Sequence, residues 1–294
     1  MAIPTLTPLD GALLVDKPAT WTSHDVVAKM RGVLGTRKVG HAGTLDPMAT
    51  GLLILGVNQG TKLLQYLLGQ DKSYTARIRL GQTTLSDDAE SEVLESFDAG
   101  GVSEVFVDRE IAKLTGTFEQ VPSSVSAKKI DGARAYDLVR AGKVVKLEPK
   151  TITITTFLRT SEISYHDGLA DFDVLVDCST GTYIRALARD IGARLGVGGH
   201  LIGLRRTSIA EFNVAAATEM TAEPRLIDLK SAAGALFRSK EITEQQEVDL
   251  RHGKQVLLES ESGLLALIRN NQLVALAEPA GDLYKSMAVF QGEA

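Results

Sequence analysis

Short apolar runs separated by glycine- and proline-marked breaks organise this chain, and the spacing of the apolar positions in each run predicts its element. Residues 11–15 read as an apolar strand that ends at Asp16-Lys17-Pro18. Ser23 stands where a helix cap is expected, and Val26, Val27, Met30 and Leu34 follow at helical spacing until Gly35 stops the helix. Residues 52–57 are continuously apolar and of strand length, which predicts a buried central strand. Alternation predicts strands at 74–80, where Tyr74, Ala76, Ile78 and Leu80 share a face, at 151–163 and at 170–177. Helices are predicted at 108–114, 133–140 and 182–195.

Strands mixed with helices without regular βαβ alternation favour an α+β domain around a mixed, mainly antiparallel sheet. The composition shifts at Thr221-Ala222-Glu223-Pro224, which predicts a domain of residues 1–222 followed by one of residues 223–294. The second holds one predicted helix, 243–252, and strands at 255–258, 263–268, 273–277 and 286–290. Such lengths suit a small β-rich, barrel-like module.

At 294 residues and 44% hydrophobic, the chain can bury a substantial core. No apolar run approaches the roughly 18–20 residues that span a bilayer, and Met1-Ala2-Ile3-Pro4-Thr5 lacks a basic-then-apolar signal pattern, so a cytoplasmic protein is expected. A single cysteine, Cys178, excludes an internal disulfide and a multi-cysteine zinc site. Its place in an alternating strand predicts a buried structural thiol. Net charge is −5, which taken alone argues against nucleic acid, yet the charges are segregated. Residues 86–110 carry nine acids against Arg109, a stretch expected to face away from RNA. Residues 128–150 carry seven basic residues against three acids, and 181–206 five arginines against Asp190.

The densest candidate chemistry lies in residues 38–51, where Gly40, Gly43 and Gly51 free the backbone around one histidine and one carboxylate. Pro47 disfavours the α region for Asp46 and so aims its carboxylate from an extended or turn-like backbone. The competing reading makes Asp46 a helix cap with Pro47 as first helical residue. Other glycine clusters offer no nucleotide site: Gly60-Thr61-Lys62 lacks P-loop spacing, and Gly196-Val197-Gly198-Gly199 follows a helix rather than a strand.

As a whole string, Gly40-His41-Ala42-Gly43-Thr44-Leu45-Asp46-Pro47-Met48-Ala49-Thr50-Gly51 resembles the signature of the bacterial TruB family, the pseudouridine synthases that act on uridine 55 in the T loop of tRNA. The resemblance implies the pseudouridine synthase fold with a C-terminal PUA-like RNA-binding domain, a catalytic role for Asp46, and His41 beside the flipped nucleotide. Gly181-Thr182-Tyr183-Ile184-Arg185 through Asp190 resembles the family's second motif, which implies that Arg185 pairs with Asp46 and Tyr183 lines the pocket. Asp71-Lys72-Ser73-Tyr74 resembles a third, implying that Tyr74 stacks on the target base and is a candidate for removing its C5 proton. Leu204, in Leu204-Arg205-Arg206-Thr207, inherits the role of a pocket wall. Residues 122–150 resemble the family's RNA-clamping insertion, with Lys128, Lys129, Arg134, Arg140 and Lys143 toward phosphates. Thr20 and Ala210 depart from the pattern, standing where the family favours glycine. The resemblance spans roughly residues 11–212.

Pseudouridine formation breaks the C1′–N1 bond, turns the uracil and joins C1′ to C5, without redox change. It needs a carboxylate toward the sugar or base and a group to take the C5 proton. A guanidinium suits as the carboxylate's partner because it orients two oxygens without surrendering a proton. A free phenol is a weak base at neutral pH, so stacking is the better-founded role for Tyr74. Five scattered histidines and no His-Glu-x-x-His motif predict no metal site, and the reaction calls for no cofactor. The expected partner is the tRNA T stem-loop, met by a monomer with no obligate protein partner and no membrane. Two alternatives remain: an RNA-binding, tRNA-folding protein whose catalysis is secondary, and an isomerase of ribosomal or guide-directed RNA like the dyskerin relatives. Met48-Ala49-Thr50-Gly51 and the lack of long basic tails favour the stand-alone tRNA enzyme over the last.

Overall fold

The computed structural model describes residues 10–123, 129–130, 133–134, 148–259 and 262–291. The chain begins β1 (Gly11–Lys17), α1 (Ser23–Leu34), β2 (Val39–Ala42), β3 (Thr50–Val57), α2 (Leu64–Leu68), β4 (Lys72–Leu80), β5 (Gln82–Thr84) and β6 (Val93–Ser96). It continues with α3 (Glu104–Lys113), β7 (Gly116–Gln120), β8 (Lys129–Ile130), β9 (Ala133–Arg134), β10 (Lys150–Arg159), β11 (Ser164–His166), β12 (Leu169–Cys178), α4 (Ile184–Leu195) and β13 (Gly199–Ile209). It closes with β14 (Phe212–Asn213), β15 (Thr218–Glu219), β16 (Leu226–Ile227), α5 (Leu229–Gly234), β17 (Arg238–Glu241), α6 (Glu244–Arg251), β18 (Leu265–Arg269), β19 (Gln272–Ala280) and β20 (Leu283–Val289). Two compact units result: the described residues up to Pro47, with Gly51–Gly69 and those from Ala210 on, and a second made of Met48–Thr50 with Gln70–Ile209.

In the first unit β3 is sandwiched between neighbours, as its unbroken apolar run requires. β1 pairs antiparallel along one edge, from Gly11 opposite Val57 to Lys17 opposite Gly51, and β2 pairs on β3 with His41 opposite Leu55. Helix α1 covers this sheet through Val26, Val27 and Met30, which share a core with Leu13, Val15, Leu53 and Leu55. Each such side chain contributes about 1.5–3 kcal/mol on burial, so packing rather than propensity holds this helix. Its cap is Thr22, one residue before the expected Ser23: the Thr22 hydroxyl accepts from Asp25 N while the Asp25 carboxylate accepts from Thr22 N, a capping box. Gly35 ends it at φ 63° as expected.

The C-terminal part of this unit is a four-stranded sheet, β17-β18-β19-β20, parallel between β17 and β18 and antiparallel elsewhere. Leu250, Leu265, Leu267, Val274 and Tyr284 form its core. Residues 255–258, expected as a strand, contribute a single bridge, Val256 to Tyr284. The sheet is fastened to the segment after β3: Lys62 Nζ donates to Val289 O at 2.5 Å and lies 5.0 Å over the Phe290 ring, and the Gln59 amide exchanges two bonds with the Gln291 backbone.

The second unit is an antiparallel sheet in the order β13-β4-β12-β10-β7. β4 alternates as predicted, with Tyr74, Ala76, Ile78 and Leu80 buried. Helix α4 lies against β13 and β4, and α3 against α4 and β10. At Gly192 a Cβ would stand 2.1 Å from the Gly198 carbonyl carbon, so α4 can meet the start of β13 only with glycine there. Cys178 is buried, its thiol pushed up to about 11 chiefly by burial. Of the helix expected at 133–140 only Ala133 and Arg134 are described, and these two pair antiparallel with Ile130 and Lys129 instead; residues 135–140 lie outside the described residues.

Candidate active site

Asp46 lies in no helix. Pro47 and Met48 form a turn and β3 begins two residues later, so the helix-cap reading fails. Gly43 at φ 84° and Gly51 at φ 97° bracket the loop in the left-handed region, where glycine carries no Cβ penalty. Two clamps fix the chain on either side of the half-buried aspartate. Before it, the buried Ser23 hydroxyl accepts from Leu45 N at 2.9 Å and approaches Leu45 O at 3.3 Å, while the Leu45 side chain is itself buried. After it, Pro47 O accepts from Thr20 N at 2.8 Å and from Lys17 Nζ at 3.2 Å. Lys17 is fully buried, and its ammonium also donates to Pro18 O at 3.0 Å and Trp21 O at 2.5 Å. The turn after β1 and the Asp46 loop thus share one buried cation. His41, on β2, stands edge-on to the His24 ring at 5.6 Å.

In the second unit Tyr74 is buried on the central strand, opposite Val176 on β12 and Arg206 on β13. Arg206 is buried too, and burial followed by the Arg206 charge holds the neighbouring Lys72 ammonium below its ordinary pKa. Leu204 is half-buried on β13 opposite Ala76, with Thr50 Oγ1 3.5 Å from its carbonyl. β13 therefore brings Leu204 and Arg206 beside Tyr74, a strand the apolar pattern did not reveal because its positions alternate poorly between the two faces.

Arg185 sits in the first turn of α4 and is buried. Its Nη1 donates to Ser86 O at 2.8 Å and to Asp88 Oδ2 at 3.2 Å. Asp88 is buried as well, and its other oxygen accepts from the Ser86 hydroxyl and from Glu90 N. Just ahead of Arg185, the buried Gln120 amide grips the Tyr183 backbone: Nε2 donates to Tyr183 O at 3.1 Å and Oε1 accepts from Tyr183 N at 2.9 Å. Arg189, one turn on, donates to Asp87, Val121 O and Pro122 O. Burial pushes the Asp87 carboxyl above its ordinary value against the pull of Arg189.

Asp88, Gln120 and Lys17 are supporting residues that the motifs did not single out. The acidic stretch 86–110 was expected to face away from RNA. Within it Asp87 and Asp88 are buried counter-ions of α4, and Glu104 and Asp108 both bind Arg159. Of the insertion's lysines, Lys129 opens β8, and Lys128 lies outside the described residues, as do Arg140 and Lys143.

A family model described as TruB family pseudouridylate synthase, N-terminal domain, matches residues 31–184, and one described as tRNA pseudouridylate synthase B C-terminal domain matches residues 185–236. A protein of Leifsonia xyli named tRNA pseudouridine synthase B is 49% identical, with 96% of this chain and 97% of that one covered. The chain belongs to the TruB family. A second relative of the same name, from Paenarthrobacter aurescens, is 46% identical over 96% of this chain and 95% of its own length. The TruB fold also extends to a crystal structure of a Cbf5-Nop10-Gar1 complex, which matches with TM-score 0.70 at 22% identity over 98% of this chain and 87% of that one.

Proposed function

We propose that this TruB-family chain isomerises uridine 55 in the T loop of tRNA to pseudouridine, acting as a cytoplasmic monomer without cofactor, metal or obligate protein partner. The observation that carries the reading is the Asp46 loop, clamped on both flanks by Ser23 and Lys17, in a chain 49% identical to a protein named tRNA pseudouridine synthase B. In this reading the target base leaves the stack at a cost of a few kcal/mol and enters the pocket, with His41 beside the flipped nucleotide. Tyr74 provides the stacking face, Tyr183 and Leu204 line the walls, and Arg185 is the guanidinium partner of Asp46. The buried Arg185–Asp88 pair supports that role, because a guanidinium already fixed by one carboxylate loses little freedom in orienting a second.

Asp46 serves as the carboxylate that the rearrangement requires. The C1′–N1 bond breaks, C1′–C5 forms, the C5 proton leaves and N1 gains one, so atoms balance without an external reactant. Tyr74 is the candidate proton acceptor. Lys128 and Lys129 are proposed phosphate contacts of the clamping insertion, and residues 223–294 a PUA-like module that adds RNA surface. No helix among the described residues is long and apolar enough to cross a membrane.

The test is pseudouridine mapping in unmodified tRNA incubated with wild type and with Asp46→Asn. Wild type is expected to convert the T-loop uridine alone, and the variant to bind tRNA with nearly unchanged affinity and make none. Pseudouridine formation by Asp46→Asn refutes the assignment.

A further inference from the structure

Many cations of the described residues are already neutralised. Arg79, Arg159, Arg185, Arg189, Arg251 and Arg269 all hold carboxylates. In a chain of net charge −5, uncommitted cations therefore mark where an anion can dock. Several of them fall in ten consecutive residues: Lys29 and Arg31 on the two flanks of α1, and Arg37 and Lys38 in the link to β2, all exposed and none in an ion pair with another described residue. Arg31 donates to Val39 O at 2.9 Å, which steadies its guanidinium beside β2. The one acid of residues 23–38, Asp25, is spent in the capping box. The Lys38 charge reaches Lys62, whose ammonium is held below its ordinary pKa by burial and then by Lys38, so positive potential continues past the link.

This strip adjoins the nucleotide-facing loop within the same unit. His24 in the first turn of α1 packs edge-on to His41, and β2 follows directly on Lys38.

We infer that Lys29, Arg31, Arg37 and Lys38 form a docking strip for the phosphates of the tRNA strand that runs away from the target uridine, distinct from the basic insertion at 122–150. The inference rests on the tRNA reading above. Phosphate binding by such a strip is sequence-independent and releases counterions, so its signature is salt dependence rather than base preference.

The experiment measures tRNA affinity by filter binding from 50 to 300 mM KCl for wild type, for the neutralised triple variant K29Q/R37Q/K38Q, and for the charge-retaining K29R/R37K/K38R. All three positions are exposed, so neither variant disturbs the core. The neutralised variant is expected to bind about tenfold more weakly at 100 mM KCl, with the slope of log affinity against log salt reduced by about 2 to 3, at roughly 0.7–0.9 for each phosphate left without its cation. The charge-retaining variant is expected to keep the wild-type slope. An unchanged slope and affinity in the neutralised variant overturns the strip, as does an equal loss in the charge-retaining one. Wild type that makes no pseudouridine in tRNA would instead sink the functional reading, which separates the two failures.

Discussion

Replacing Lys17 with methionine isolates what one buried cation does for the Asp46 loop. The substitution keeps most of the side-chain volume and removes the ammonium that Pro18 O, Trp21 O and Pro47 O share. Pro47 O retains Thr20 N, so it is not orphaned. Trp21 O and Pro18 O lose a charged donor, and an unsatisfied buried carbonyl costs about 1–3 kcal/mol. Pro18 is exposed and Trp21 half-buried, so water can reach part of this site and the lower end applies: roughly 2 kcal/mol in all. At about 2–4 °C per kcal/mol for a chain somewhat smaller than this one, Tm is expected to fall by roughly 4–8 °C. Activity should suffer more. Loosening Pro47, which keeps only the Thr20 N bond, lets the adjacent carboxylate drift, and an ångström of misplacement costs about a hundredfold in rate. Differential scanning calorimetry and single-turnover pseudouridylation of a T stem-loop read the two effects. A Lys17→Met protein with Tm within about 1 °C of wild type, where several degrees are expected, and an unchanged single-turnover rate refutes the clamp.

Other consequences can be checked alongside. Asp88→Asn removes the buried carboxylate that holds Arg185 Nη1 and so loosens the orientation of its guanidinium; it is expected to lower kcat well over tenfold while KM moves less, read by steady-state pseudouridylation. Thr20 at φ 71° and Ala210 at φ 47° occupy the left-handed region where the family favours glycine; each costs about 1–2 kcal/mol there, against about 0.4–1 kcal/mol of backbone freedom that glycine loses on folding. Thr20→Gly and Ala210→Gly should each raise Tm by one to three degrees, about what a gain of half to one kcal/mol delivers, in thermal melts. Burial alone would raise the Asp171 carboxyl, but bonds from Arg79 and His166 outweigh it and hold it below the ordinary 3.8. A carboxylate depressed in the folded state contributes stability that is complete above its unfolded value and is lost as pH falls through the folded one. The Tm gap between wild type and Asp171→Asn should therefore be full at about pH 6 and shrink below about pH 4; a gap constant from about pH 6 to about pH 3 counts against the ion pair.

Elements with a single clean period were legible from the sequence. The unbroken run 52–57 lies inside β3, and alternation at 74–80 and 170–177 identified β4 and β12, because a strand buried on one or both faces leaves little freedom in residue choice. β13 escaped because bulges between Leu201 and Gly203 and between Arg206 and Ser208 break its alternation, and because its buried Arg206 mimics a surface residue. β2 is only four residues long, too short for a period to show. Motif resemblance singled out Asp46, Tyr74, Tyr183 and Arg185 as chemistry-bearing, but it was silent on Asp88. The reason is physical: an aspartate in an acid-rich stretch looks solvated until the fold shows which arginine it neutralises. Thr20 and Ala210 show the reverse: each departs from the family's glycine yet stands at a left-handed backbone position that suits glycine, where its Cβ makes the conformation strained.

The buried thiol of Cys178 has a practical consequence. With its ionisation pushed up to about 11 and its sulfur against the Lys72 carbonyl, this one native cysteine stays a protonated, inaccessible group at the pH of maleimide coupling. A cysteine introduced at exposed Val33, on the outer face of α1, would then be the sole reactive thiol, so a fluorophore can be placed beside the basic strip without first engineering the protein cysteine-free. Quenching or polarisation of that dye would report RNA arrival in real time, independently of turnover.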